Sequence, residues 1–196
     1  MANSEDKKPI FSIAMMQFLQ NRLMEIFGLG LFVISGLLLI ALITAGKSDP
    51  SFNQVSTAPV ANWLGPIGAN ISAGLYAAIG LASFFLALVP LFWGLSYFRK
   101  QPVPWMRFRI IVLPPSLCFL AGGLFALDGG GASDNGGAAG AVIIGMIMRV
   151  MQPIPSFMGL ETIHYVGGAA LFFGLLSWLW VVAISLQQWL KGPGKT

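Results

Sequence analysis

Residues 27–46 read FGLGLFVISGLLLIALITAG, a run without a single charge, and further apolar stretches follow it along the chain. About 20 apolar residues on a helical rise span the ~30 Å hydrocarbon core of a bilayer. The second such stretch covers about 73–98, with Pro90 near its end, and the third about 110–127. The third carries Pro114-Pro115, which predicts a kinked or distorted helix. The fourth covers about 166–190, while a fifth apolar piece, 138–151, is too short to cross and holds Arg149. That length suits a re-entrant or interfacial helix. The pattern predicts an all-α membrane protein with four transmembrane helices and one such short helix.

Ahead of the first span, Ile13, Met16, Leu19, Leu23 and Ile26-Phe27 recur at intervals of three and four. Two readings fit: an amphipathic helix lying in the interface, or an extension of the first span. The expected organisation is an interfacial segment over 1–26, a membrane domain over 27–190, and a tail or linker start over 191–196.

Composition changes this picture little. Charged residues are 9% of the 196 and apolar residues 56%, against roughly 25% charged in soluble domains. The N-terminus has acidic residues where a signal peptide is basic and no small-x-small cleavage site, so no cleaved leader is expected. Cys118 is the one cysteine, which excludes an intrachain disulfide.

Charge adds sidedness. Of eleven basic residues, Lys7, Lys8, Arg22, Arg99, Lys100, Arg107, Arg109, Lys191 and Lys195 fall on one side of the predicted spans, and Lys47 and Arg149 on the other. The positive-inside rule then predicts both termini in the cytoplasm, with Asp49, Asp128, Asp134 and Glu161 outside. Arg149 is expected to be neutralised by Glu161 across a Pro153-Ile154-Pro155 turn, or else to snorkel.

Candidate chemistry mostly fails on physical grounds. Residues 41–48, ALITAGKS, satisfy a relaxed phosphate-loop pattern, but they end a transmembrane helix instead of joining a strand to a helix. His164 is the lone histidine and has no cysteine beside it, so it reads as a solvated or hydrogen-bonded interface residue and not a metal ligand. The spans carry no acidic group, which disfavours a pump or coupled transporter. No catalytic, metal or cofactor site is expected.

Packing chemistry is what the chain offers. Ala73, Gly80, Ala87 and Gly94 recur every seven residues, and Gly167, Ala170, Gly174 and Ser177 form a second small-residue stripe. Small residues let helices approach closely, either within one bundle or between subunits.

The first loop carries a family signature. It reads Ser48-Asp49-Pro50-Ser51, then Asn62-Trp63-Leu64-Gly65-Pro66-Ile67-Gly68-Ala69. These residues, with Gly136-Gly137, Gly140 and the short apolar segment, then Gly159 and the fourth span, resemble the N-terminal four-span membrane domain of the FtsK family of bacterial DNA translocases. Asp-Pro makes a turn past a helix end, and the glycines permit a tight re-entry.

The resemblance, which covers nearly the whole chain, implies an inner-membrane anchor that targets a translocase to the division septum and contacts other division proteins. It further implies a homo-oligomer in the parent protein, with a linker and a hexameric ATPase acting in chromosome segregation. This chain ends at Thr196 without a motor, so it is expected to be an excised domain or a motor-free relative. The alternative is a non-catalytic accessory subunit of another inner-membrane complex. The basic loop Arg99, Lys100, Arg107, Arg109 is expected to anchor to anionic lipid, at about 1 kcal/mol per basic residue, and not to bind nucleic acid.

Overall fold

The computed structural model describes residues 13–100, 103–129, 135–151 and 161–182. Among them, six helices carry the regular structure: α1 (Ile13–Ile43), α2 (Gly65–Ile79), α3 (Ala82–Phe98), α4 (Met106–Leu127), α5 (Gly137–Val150) and α6 (Thr162–Val181). An isolated antiparallel bridge between Ser51 and Gln54 pinches the first loop. Helices α1, α4 and α6 are each long and apolar enough to cross a bilayer, and the bent pair α2–α3 makes up to a fourth span. The expected four-span helical class is therefore what the chain adopts, with α5 as the short fifth piece.

Two antiparallel pairs form the body of the molecule, α1 with α3 and α4 with α6. In the first pair Gly28 faces Gly94, and a Cβ on Gly94 would stand 2.8 Å from the Gly28 carbonyl oxygen. Glycine at 94 permits that approach, and a Cβ on Gly28 would also be tight, 3.1 Å from the Gly94 oxygen. Further along the same seam the Ser35 hydroxyl, fully buried, donates to the Ala87 carbonyl at 2.7 Å. Phe27 meets Tyr97 edge-on at 5.0 Å, and Phe32 meets Phe98 at 5.7 Å.

The two pairs meet through side chains. Trp93 of α3 donates its indole N–H to the Val181 carbonyl of α6 at 3.0 Å, and Trp178 of α6 donates to the Phe85 carbonyl of α3 at 3.0 Å. The Trp178 ring also stands edge-on to Phe85 and Phe92. Buried Val89, Leu117, Leu120 and Val181 complete this core.

Two details differ from the sequence reading. The stretch 73–98 is not one helix: the chain turns through 114° between α2 and α3. Gly80 makes the turn at φ 57°, ψ −137°, a conformation that a side chain strongly disfavours. Residues 65–72, read as a loop re-entering the membrane, are the first two turns of α2. Residues 13–43 form one continuous helix, the form that an extension of the first span takes.

Pro114 and Pro115 lie inside α4, which continues through them. Each lacks the N–H that an interior helical position donates. The loop 130–134, the Pro153-Ile154-Pro155 turn, the end of the fourth apolar stretch and the tail 191–196 lie outside the described residues.

Candidate functional site

The signature residues of the first loop build one compact lock at the end of α1. A helix leaves its last four carbonyls without helical donors. Here the residues that follow α1 supply donors to three of them, those of Ile40, Ala41 and Leu42. Thr44 donates both its N–H and its hydroxyl to the Ile40 carbonyl, the latter at 2.7 Å. The Asn62 amide donates to the Ala41 carbonyl at 2.8 Å, and the Tyr76 hydroxyl donates to the Leu42 carbonyl at 3.1 Å.

Asp49 and Asn62 organise the loop around those contacts. Asp49, 5% exposed, accepts the N–H groups of Ala61 at 2.7 Å, of Gly46 at 3.1 Å and of Asn62 at 3.1 Å. Asn62, 4% exposed, accepts the Leu64 N–H with its side-chain oxygen, and its carbonyl accepts the Gly65 N–H. Gly65 then enters α2 at φ +65°. Gly68 is required by contact: a Cβ there would overlap the Asn62 carboxamide oxygen and stand 2.6 Å from Leu64 Cβ. The Asn-x-x-Gly-x-x-Gly spacing thus places a carboxamide under the first turn of a helix. Ser51 closes the motif by donating to Asn53 at 2.7 Å.

The hydrogen bond from Ala61, with those from Gly46 and Asn62, holds the Asp49 carboxyl below its usual range against the opposing effect of burial. A lowered folded-state value means the stabilisation is complete above the ordinary carboxylate value of ~3.9 and is lost as pH falls toward the lowered one. Asp49→Asn should therefore lower thermal stability at pH 7, and the loss relative to the parent should shrink below pH 4. A constant deficit across that range would mean the carboxylate charge is not what orders the loop.

A second junction holds the bend between α2 and α3. Leu81, which follows the break, donates its N–H to the Asn135 carbonyl at 2.8 Å. Gly137 lies so close that a Cβ on it would stand 2.7 Å from the Gly80 nitrogen. Gly140 packs on α4, where its Cβ would be 2.5 Å from the Ala121 oxygen. These contacts give Gly136-Gly137 and Gly140 a physical role in seating α5.

Of the small-residue positions, Gly167, Ala170 and Gly174 are buried on α6. A Cβ on Gly174 would sit 2.8 Å from the Leu120 nitrogen, and one on Gly167 would overlap Ala126 Cβ. Ser177 donates back to the Phe173 carbonyl of its own helix. In the other stripe Ala87 and Gly94 face α1, Gly80 makes the bend, and Ala73 lies on α2. That stripe is interrupted by the turn and does not form one continuous surface.

The four basic residues of the middle loop separate into two kinds. Arg99, Lys100 and Arg107 are exposed. Lys100 reaches Glu25 at 3.9 Å, beside the Arg22–Glu25 pair at 2.6 Å. Arg109 departs from the expected surface position and is 7% exposed. Its Nε donates to the Pro104 carbonyl at 2.8 Å, and its terminal nitrogen donates to the Trp180 and Val181 carbonyls of α6. Its guanidinium also lies over the Trp180 ring at 4.7 Å. The fork therefore clamps the last described turn of α6 to the start of α4.

No ion pair joins Arg149 and Glu161 among the described residues, and Arg149 is exposed. His164 differs from a solvated histidine in that its Nδ1 is buried and has no partner among the described residues. Residues 41–48 end α1 and enter the loop, with no strand before them. Tyr76, Trp93, Trp178 and Asn135 carry contacts that the sequence reading did not single out. For the two tryptophans the signal was available, since an indole N–H deep in an apolar span needs an acceptor.

The comparisons with known proteins agree with this geometry. The family described as the 4TM region of DNA translocase FtsK/SpoIIIE matches residues 20–186. A protein named DNA translocase FtsK from Azospirillum brasilense is 28% identical over 97% of this chain, which covers 30% of that protein. One of the same name from Bradyrhizobium diazoefficiens is 32% identical over 71% of this chain, covering 18% of its own length. A third, from Caulobacter vibrioides, is 41% identical over 33% of this chain. No solved structure matches the chain. The chain spans under a third of the length of these relatives, and the family match covers most of its own length: it belongs to the FtsK/SpoIIIE four-transmembrane family.

Proposed function

We propose that this chain is the membrane anchor and septal assembly domain of an FtsK-like DNA translocase in bacterial cell division and chromosome segregation. The family match across residues 20–186 carries the reading. The chain is a multi-pass inner-membrane region, and on this reading it is non-catalytic. DNA movement belongs to a motor in a longer parent protein. Its partners are the bilayer, other division proteins and further copies of the parent, with no direct contact to nucleic acid. The exposed Arg99, Lys100 and Arg107 support a membrane-surface role for the middle loop. The basic residues predominate at the end opposite Lys47, which supports cytoplasmic termini.

A fluorescent protein that matures only in the cytoplasm, fused after Thr196, tests location and orientation together. The expected result is a bright band at midcell in dividing cells. The band should persist when Arg99, Lys100 and Arg107 are changed to glutamine and Arg109 is left in place. A dark but inserted fusion would reverse the topology. Uniform membrane fluorescence would remove the septal role and favour an accessory subunit of another complex.

A further inference from the structure

We propose that α2 is not the first half of a crossing but an in-plane helix of the membrane interface, its outer face covered by lipid, leaving α3 to cross alone. Two independent geometric observations point there. The chain turns through 114° at Gly80, 24° past a right angle, so α2 runs more across α3 than along it, and α3 itself lies antiparallel against α1 from Gly94 to Ala87. The two ends of α2 are also tied to one level of α1. Asn62, three residues before α2, bonds the Ala41 carbonyl, and Tyr76, in its last turn, bonds the Leu42 carbonyl. Adjacent carbonyls differ by only about 1.5 Å along a helix axis. A helix pinned at both ends to neighbouring carbonyls lies across the end of α1, not alongside it.

The faces of α2 fit that placement. Ala69 and Ser72 are buried, and with Tyr76 they look onto a cavity of about 600 Å³ that Lys47, Asp49 and Gln54 also line. The opposite face presents Ile67 at 73% and Ile71 at 40% exposure, followed by Ala78. Phe52 lies over Gly74 on this helix, its N–H held by Asn70 at 2.8 Å, and Trp63 stands just before the first turn.

The occupant is lipid because this apolar rim is tied through Trp63 to the end of α1, whose own flank is apolar and exposed. Trp63 bonds Thr44 through its N–H, and Ile40 and Ile43 are exposed beside it. An apolar face level with the end of a span, flanked by tryptophan and phenylalanine, matches the headgroup boundary of a bilayer. The proposal rests on the chain being membrane-embedded and is independent of the septal reading.

Site-directed spin labelling of the full chain tests it. In a Cys118→Ser background, Ile67→Cys, Ile71→Cys and Ala78→Cys are labelled after reconstitution into phosphatidylcholine–phosphatidylglycerol vesicles. Depth is read from the ratio of collision rates with oxygen and with a water-soluble nickel chelate. The expected result is a narrow spread of depths near the headgroup boundary, about 7 Å or less over the roughly 16 Å of helix between Ile67 and Ala78. Labels at Leu29, Val33 and Leu37 on α1 should instead step steadily through the bilayer. A change in depth approaching the full rise of about 16 Å from Ala78 to Ile67 would overturn the proposal in favour of a crossing or deep re-entrant helix. Labels shielded from both reagents would show a protein covering the face, and labels open to nickel alone would place α2 in water. Either result also overturns it.

Discussion

Gly123→Leu and Gly167→Leu should each lower the unfolding free energy by about 3 kcal/mol, the upper end of the usual cost of overpacking a core. Unfolding in mixed detergent–SDS micelles measures it. Both glycines sit where α4 and α6 touch. A Cβ on Gly123 would stand 2.7 Å from Leu171 Cδ2 and 2.8 Å from the Leu171 nitrogen, and one on Gly167 would overlap Ala126 Cβ. At Gly167 the opposing wall is the Ala126 Cβ, and at Gly123 it is the Leu171 side chain backed by that residue's nitrogen, so a change of rotamer alone does not clear room for a leucine. Gly168→Leu supplies the contrast. Its Cβ meets nothing within 4 Å, and leucine is the better helix former, so that variant should hold or gain stability. Equal losses at Gly168 and Gly167 would show that the stripe acts through backbone flexibility and not through close packing.

Arg109→Gln should cost about 2 kcal/mol, in the range of hydrogen bonds made by charged groups. Arg109→Lys should recover little of it. An ammonium is a point donor, whereas the guanidinium reaches Pro104, Trp180 and Val181 from two separate nitrogens and stacks on the Trp180 ring. Arg107→Gln, two residues away and exposed, should change stability by less than about 0.5 kcal/mol. The same unfolding assay ranks the three variants. Full rescue by lysine would reduce the clamp to a simple charge effect.

The spans were legible because a bilayer demands long charge-free runs, and 27–46 is hard to read otherwise. The bend at Gly80 was not legible. Apolar composition passes through it unchanged, and a lone glycine is common in transmembrane helices. The turn chemistry of Asp49-Pro50 and the need for Gly65 and Gly68 could be read from residue types. Their partners could not, because the carbonyls of Ala41 and Leu42 look in sequence like any others. Arg109 shows a signal that was present but unused. It shares a helical face with Leu113, Ser116, Leu117 and Leu120, the face that α4 buries. Arg107 does not. Periodicity, and not charge count, separates the clamp from the surface residues.

The tryptophan exchange between the two helix pairs bears on how the chain assembles. Trp93 needs a carbonyl on α6, and Trp178 needs one on α3. Synthesis delivers α1 and α3 first, so the early pair waits in the bilayer with one indole donor unsatisfied until α6 arrives. A foreign helix that packed against α3 in the meantime would have to offer an acceptor at the same height, and would still leave the Phe85 carbonyl without its second donor. Each half thus carries a requirement that only the other half meets. The reciprocal bonds act as a matching test for correct pairing in a membrane crowded with other apolar helices.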